Sequence, residues 1–306
     1  MYTGPGNQYS TRSVPLRSAD PLRWHGYARS LAALEVPAVP SPEELMVARE
    51  LLLELFCDFP FAHEADRAHA LAMLLLPFVR EKIEGPTPLH FVTGNATGVG
   101  CSLLVEQVSL IVSGEPALTL LPRSNDKELY LDLGAVLRLG PSLAVLDCPG
   151  SRGAFHGLAI PKTISSDTWV GQLPKLPDLL TLPNRTTWAF TTRIRSLSPA
   201  LVACCLPLYL RSPVERPWLR RCSEFRHCPL KTWTLANRRA LQRSALMCVQ
   251  SWCAAGEPKA AVRLPGFERW SEVIGGILET ACIPGFLGNL QAFHARFIRA
   301  SRRRRG

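Results

Sequence analysis

Apolar positions along this chain follow two periods, and the places where the period changes divide the sequence. Leu45, Leu52, Leu55 and Phe56 recur at near-helical spacing behind Ser41-Pro42-Glu43-Glu44. That start has Ser as N-cap, Pro at the first helical position and a Glu able to close a capping box. A second helix is predicted from about Glu64 to Ile83, bent at Pro77 and ended by Gly85-Pro86. Short apolar runs then take over. Leu89 to Val92 reads as a strand, followed by a glycine-rich turn and an amphipathic helix over 102–112. "SLAVLDCPG" (142–150) and "TTWAFTTR" (186–193) each hold a short apolar strand with a polar end, Asp147 in the first and Thr191 with Thr192 in the second. "LPLYL" (206–210) is a fourth strand. From about Pro213 the pattern returns to helices, over 235–254, 267–281 and 289–300.

Short buried strands alternating with helices predict an α/β fold with a parallel sheet covered on both faces. The expected organisation is a disordered lead-in over 1–40, a helical segment over 41–85, an α/β core over 86–212, a helical C-terminal domain over 213–300 and a basic tail over 301–306.

Composition changes this picture little. Hydrophobic residues at 47% against 20% charged exclude wholesale disorder, while 26 Pro imply many interrupted elements. The longest apolar run, Ala70 to Val79, contains Pro77 and is far shorter than the roughly 20 residues of a spanning helix, so no membrane segment is expected. The N-terminus lacks the apolar stretch of a secretory signal. Ten Cys are scattered without a CxxC pair, as expected of reduced thiols in a cytoplasmic protein. Cys222, His227 and Cys228 lack a fourth ligand at zinc spacing.

Charge is more informative. Residues 1–192 carry 15 Lys and Arg against 19 Asp and Glu, a net −4, whereas 193–306 carry 20 against 6, a net +14. The basic half is therefore the expected polyanion surface. Its candidate contacts are Arg238, Arg239 and Arg243 on one helix face and the run Arg302, Arg303, Arg304 and Arg305, whose adjacent cations repel one another until a polyanion relieves them. Such contacts would carry no sequence preference; DNA is the expected partner.

Candidate chemistry centres on "FVTGNATGVGCSLLVEQ" (91–107). A phosphate-binding loop of the form GxxxxGK[ST] points consecutive amides and a helix N-terminus at the anion, uses Lys to neutralise it and Ser or Thr to hold Mg²⁺. Gly98, Val99, Gly100 and Ser102 keep the backbone and hydroxyl parts, but Cys101 occupies the lysine position. Asp147, after an apolar strand downstream, suits a second magnesium anchor alongside Ser102. Arg193, Arg195, Lys127 and Lys162 are the cations considered as replacements for the lysine.

With these motifs, the stretch from about Leu51 to Leu290 resembles the P-loop ATPase region, of AAA+ helicase type, in ATP-binding and primase-helicase proteins of prophages and integrative mobile elements. The matching text also includes "LFCDFPF", "DRAHALAMLLLPFVRE", "GPTPLHF", "VERPWLR", "RHCPLKTW" and "VIGGILETACIPGFLGN". The resemblance implies a three-layer P-loop sheet with a winged-helix-like C-terminal domain, Mg²⁺ and ATP as cofactors, and a homo-oligomer or related ATPase subunits acting on nucleic acid. It sets Gly98 to Ser102 at the nucleotide, Asp147 at the metal aspartate, Thr191 to Arg193 at the sensor, with Thr192 and Asp147 as the catalytic pair, and Ala203 and Cys204 where arginine fingers stand. Lysine, sensor amide and both arginines are thus replaced, which implies a degenerate, non-hydrolysing nucleotide-binding or scaffold subunit. The rival implication is an active helicase or translocase using substitute residues.

Overall fold

In the computed structural model the described residues are 34–148, 154–155, 157–193 and 196–302. Most of the expected lead-in, together with Arg195 and Arg303 to Arg305, lies outside them. Helix α1 (Pro42–Leu55) begins as its sequence dictates. The Ser41 hydroxyl accepts the Glu44 amide at 3.2 Å, and the Glu44 carboxylate accepts the Ser41 amide at 2.9 Å. Helix α2 (Glu64–Val79) runs through Pro77 and tightens into a 3₁₀ turn over Arg80–Lys82.

Five parallel strands follow in the chain: β1 (Leu89–Gly94), β2 (Leu118–Leu120), β3 (Leu143–Cys148), β7 (Thr187–Thr192) and β9 (Cys205–Leu210). Their spatial order is β2-β3-β7-β1-β9. Helices α3 (Cys101–Ser113), α4 (Asp126–Leu139), α5 (Ala159–Ile164) and α6 (Pro199–Ala203) lie in the crossovers. Between β3 and β7 the chain also forms β4 (Ala154–Phe155), which pairs with β8 (Ser196–Leu197), and the hairpin of β5 (Thr168–Gly171) with β6 (Leu180–Pro183).

Leaving β1, the chain crosses over to the far edge of the sheet, whereas from β7 it passes over β1 to the opposite edge. The reversal lies beside β1, and in open α/β sheets ligands bind outside the carboxyl ends of the strands at such a point.

The last helices are α7 (Leu230–Ala236), α8 (Arg238–Ala254), α9 (Glu268–Thr280) and α10 (Leu290–Arg302). The helix expected over 235–254 is interrupted at Asn237 and starts earlier, at Leu230. These helices do not close a core of their own. Alternation along β1 sends His90 to one face, where its ring lies 6.4 Å from Trp270 of α9. Phe91 goes to the other face, 5.7 Å from Phe293 and 6.0 Å from Phe297 of α10. One continuous core runs from Leu52 through the sheet to Phe297. The residues expected as a separate domain thus cover both faces of the sheet, and no strand occurs among the described residues of 213–302 to form the wing of a winged helix.

Candidate functional site

The turn between β1 and α3 is shaped by three glycines. Gly98 (φ +71°) and Gly100 (φ +110°) occupy left-handed backbone that side chains disfavour. Space forbids substitution as well. A Cβ at Gly98 would lie 2.9 Å from that of Trp218, and one at Gly94 would lie 2.4 Å from the Val99 methyl that folds back over the end of β1. Asn95 fastens the turn to the segment leaving β9. Its amide donates to the Ser212 carbonyl at 2.8 Å, and its side-chain carbonyl accepts the Ser212 amide at 2.9 Å. Helix α3 then starts at Cys101, and its first-turn amides, lacking intrahelical acceptors, begin at this turn.

A cavity of about 470 Å³ opens there, walled by residues 96–103, by Asp147 and Cys148 of β3, and by Thr191, Thr192 and Arg193 at the end of β7. Register explains the meeting. Asp147 pairs with Thr191 across the sheet, and Thr191 pairs with Val92 of β1. The Thr191 hydroxyl donates to the Asp147 carboxylate at 2.6 Å. Thr191 is therefore the residue that engages Asp147; Thr192, expected as the catalytic partner, is buried in the cavity wall. Ser102 is exposed at the head of α3.

Burial pushes the Cys101 thiol up to about 12, so it is neutral at physiological pH and cannot balance an anion. Of the four replacement cations considered, Arg193 reaches the turn, its guanidinium donating to the Thr97 hydroxyl. Lys162 stands 4.5 Å over the ring of Tyr130 instead, and Lys127 is exposed in the first turn of α4; neither borders the cavity. At the two arginine-finger positions, Ala203 is exposed and Cys204 is buried.

On the other side of the same glycines is a smaller pocket of about 170 Å³. Its apolar wall comes from Phe59, Pro60, Leu103, Pro217, Phe225 and Leu230, and Arg220 stands at it with its guanidinium 4.0 Å over the Phe225 ring. The sequence reading missed this pocket. "LFCDFPF", "VERPWLR" and "RHCPLKTW" carry no evident chemistry as text, but each supplies part of this wall. One rim is the segment 222–228, closed by a Cys222–Cys228 disulfide where reduced thiols were expected. That bond removes both sulfurs from the zinc set considered with His227, whose ring stacks on Trp233 at 4.1 Å and meets the Glu54 carboxylate at 2.7 Å. Glu54, Cys57 and His227 do bring ligand atoms within 4.8 Å of one another, but Arg226 also pairs with Glu54 at 2.6 Å.

The arginines expected to share one face of a helix have separate roles. Arg238 caps the C-terminus of α3, donating to the carbonyls of Ile111 at 3.0 Å and Val112 at 3.1 Å. Arg243 donates to the Glu35 carbonyl at 2.9 Å, and Arg239 is exposed. Arg302 ends α10, while Arg303, Arg304 and Arg305 lie outside the described residues. No helix among the described residues is long and apolar enough to cross a membrane.

No protein-family model and no curated protein matches the chain. Among solved structures it is similar to the apo form of the C-terminal region of NrS-1, at 12% identity and a TM-score of 0.40, over 82% of this chain and 53% of that one. The chain thus spans about half the length of that structure.

Proposed function

We propose that this chain is a P-loop-type nucleotide-binding domain that holds a magnesium-bound nucleoside triphosphate without efficient hydrolysis and acts on nucleic acid as a subunit or scaffold. The observation that carries the reading is the convergence, at the carboxyl ends of β1, β3 and β7, of a glycine turn leading into a helix, the Asp147–Thr191 pair and Arg193 around one cavity. Backbone amides at a helix start suit phosphate oxygens, and the Ser102 hydroxyl with the Asp147 carboxylate suits magnesium. The strand order supports it too: the Thr191 strand lies between the turn strand and the Asp147 strand, as a sensor strand must to reach both. The apolar pocket at Phe59 and Pro217 offers room for a flat ring on the far side of the turn, and the two cavities together fall within the ~300–1,000 Å³ of ligand sites.

The missing parts argue against turnover. With a neutral thiol at the lysine position and no guanidinium at positions 203 and 204, the transition state loses the groups that stabilise its charge; a finger alone accounts for about 10³ to 10⁵ in rate elsewhere. The nucleic-acid part rests on the +14 charge of residues 193–306. The test is equilibrium titration with ATP, with and without magnesium, alongside phosphate release. Binding with release at background supports the reading, and turnover abolished by Asp147→Ala would sink it.

A further inference from the structure

The nucleotide reading leaves the charge at the turn unexplained, because the residue at the head of α3 is a thiol that stays neutral. Resting on that reading, we propose that Arg193 provides the phosphate-binding cation of this site, reaching from the end of β7 to the place a lysine would reach from α3.

Three observations converge. Among the described residues, Arg193 is the sole Lys or Arg walling the larger cavity. Its guanidinium donates to the Thr97 hydroxyl on the turn itself, and both residues wall the cavity. It follows directly on Thr191 and Thr192, and Thr191 is fixed by its bond to Asp147, so the backbone that launches the side chain is anchored to the carboxylate expected at the metal. Thr97 holds the guanidinium at the turn when no anion is present. An arriving polyphosphate offers that fork two oxygens in place of one hydroxyl, and charge-assisted bidentate contacts are the stronger. The ligand class is a nucleoside di- or triphosphate. No covalent step is involved.

The geometry also limits what Arg193 can do. A guanidinium is permanently charged and planar, and this one is borne just past the end of β7 and not on α3, so it approaches phosphate oxygens from the β7 side of the cavity. It offsets the phosphate charge that the neutral Cys101 leaves unbalanced, without supplying a finger from another subunit.

Titration with a fluorescent ATP analogue plus magnesium tests this on the full chain. Arg193 is exposed, so Arg193→Ala should fold, with an unchanged melting temperature as the control. Its affinity should fall about 10-fold to 100-fold, the loss expected for a charged hydrogen-bond pair. Adding Cys101→Lys to Arg193→Ala should restore at least part of that loss, because the charge returns at the other end of the same cavity. Wild-type binding with Arg193→Ala unchanged overturns this inference and leaves the nucleotide reading standing. No binding by the wild type at millimolar nucleotide overturns both.

Discussion

Lowering the pH from 8 to 5 should destabilise this protein by about 4 kcal/mol through two buried histidines, His69 and His90. His69 of α2 donates from Nδ1 to the Pro207 carbonyl at 2.6 Å, and its Nε2 accepts the Leu287 amide at 3.0 Å, an arrangement that requires the neutral ring. Burial lowers it to about 4. His90 of β1 is lowered to about 3, chiefly by burial and further by His69, and neither of its ring nitrogens has a partner among the described residues. Both folded values lie below the ordinary value near 6.5, so the unfolded chain takes up protons that the folded chain refuses. Stability is therefore full above about pH 6.5 and falls as the pH drops toward the folded values. At pH 5 each ring is about 1.5 pH units below its unfolded value, or about 2 kcal/mol per histidine. Against a total of roughly 5–15 kcal/mol this is large.

Urea unfolding followed by tryptophan fluorescence at pH 8, 7, 6 and 5 measures it. The Asp66 carboxyl, raised by burial, works in the opposite direction, so the comparison that isolates the histidines is His90→Leu against wild type. That variant should be more stable at pH 8, since it removes a buried polar ring without partners, and should lose about half of the pH dependence. Equal stability of the wild type at pH 8 and pH 5, or an unchanged slope in His90→Leu, refutes the reasoning.

Arg238→Met should lower stability by about 1–3 kcal/mol through loss of the two bonds capping α3, while leaving affinity for DNA unchanged at fixed salt; weaker DNA binding would return Arg238 to the interface. Deleting residues 301–306 should flatten the slope of log affinity against log salt by about three if all four arginines touch phosphate, and an unchanged slope in anisotropy titrations removes the tail as a contact.

The sheet was legible where local signals were strong. The capping box at Ser41 and the apolar runs of β1, β3, β7 and β9 announce themselves, because buried parallel strands need unbroken hydrophobic stretches. Strand β2 is three residues long and mostly exposed, so no pattern marks it. Helix α4 has an Asn125 cap, written in "SNDKEL" as an Asn ahead of an acidic first turn. The glycine turn and Asp147 stand out in the sequence and the structure brings them to one cavity, whereas the pairing of Asp147 with Thr191 depends on register, which sequence spacing does not give. Arg238 shows the converse limit: a helix-face pattern identifies a basic residue without revealing that α3 lies beneath it.

Calorimetric titration of ATP into the full chain, with and without magnesium and with phosphate release followed in the same samples, tests the central claim most directly. Magnesium-dependent, saturable binding with release at background is the predicted result. Absence of binding in both conditions, or turnover that requires Asp147, contradicts it.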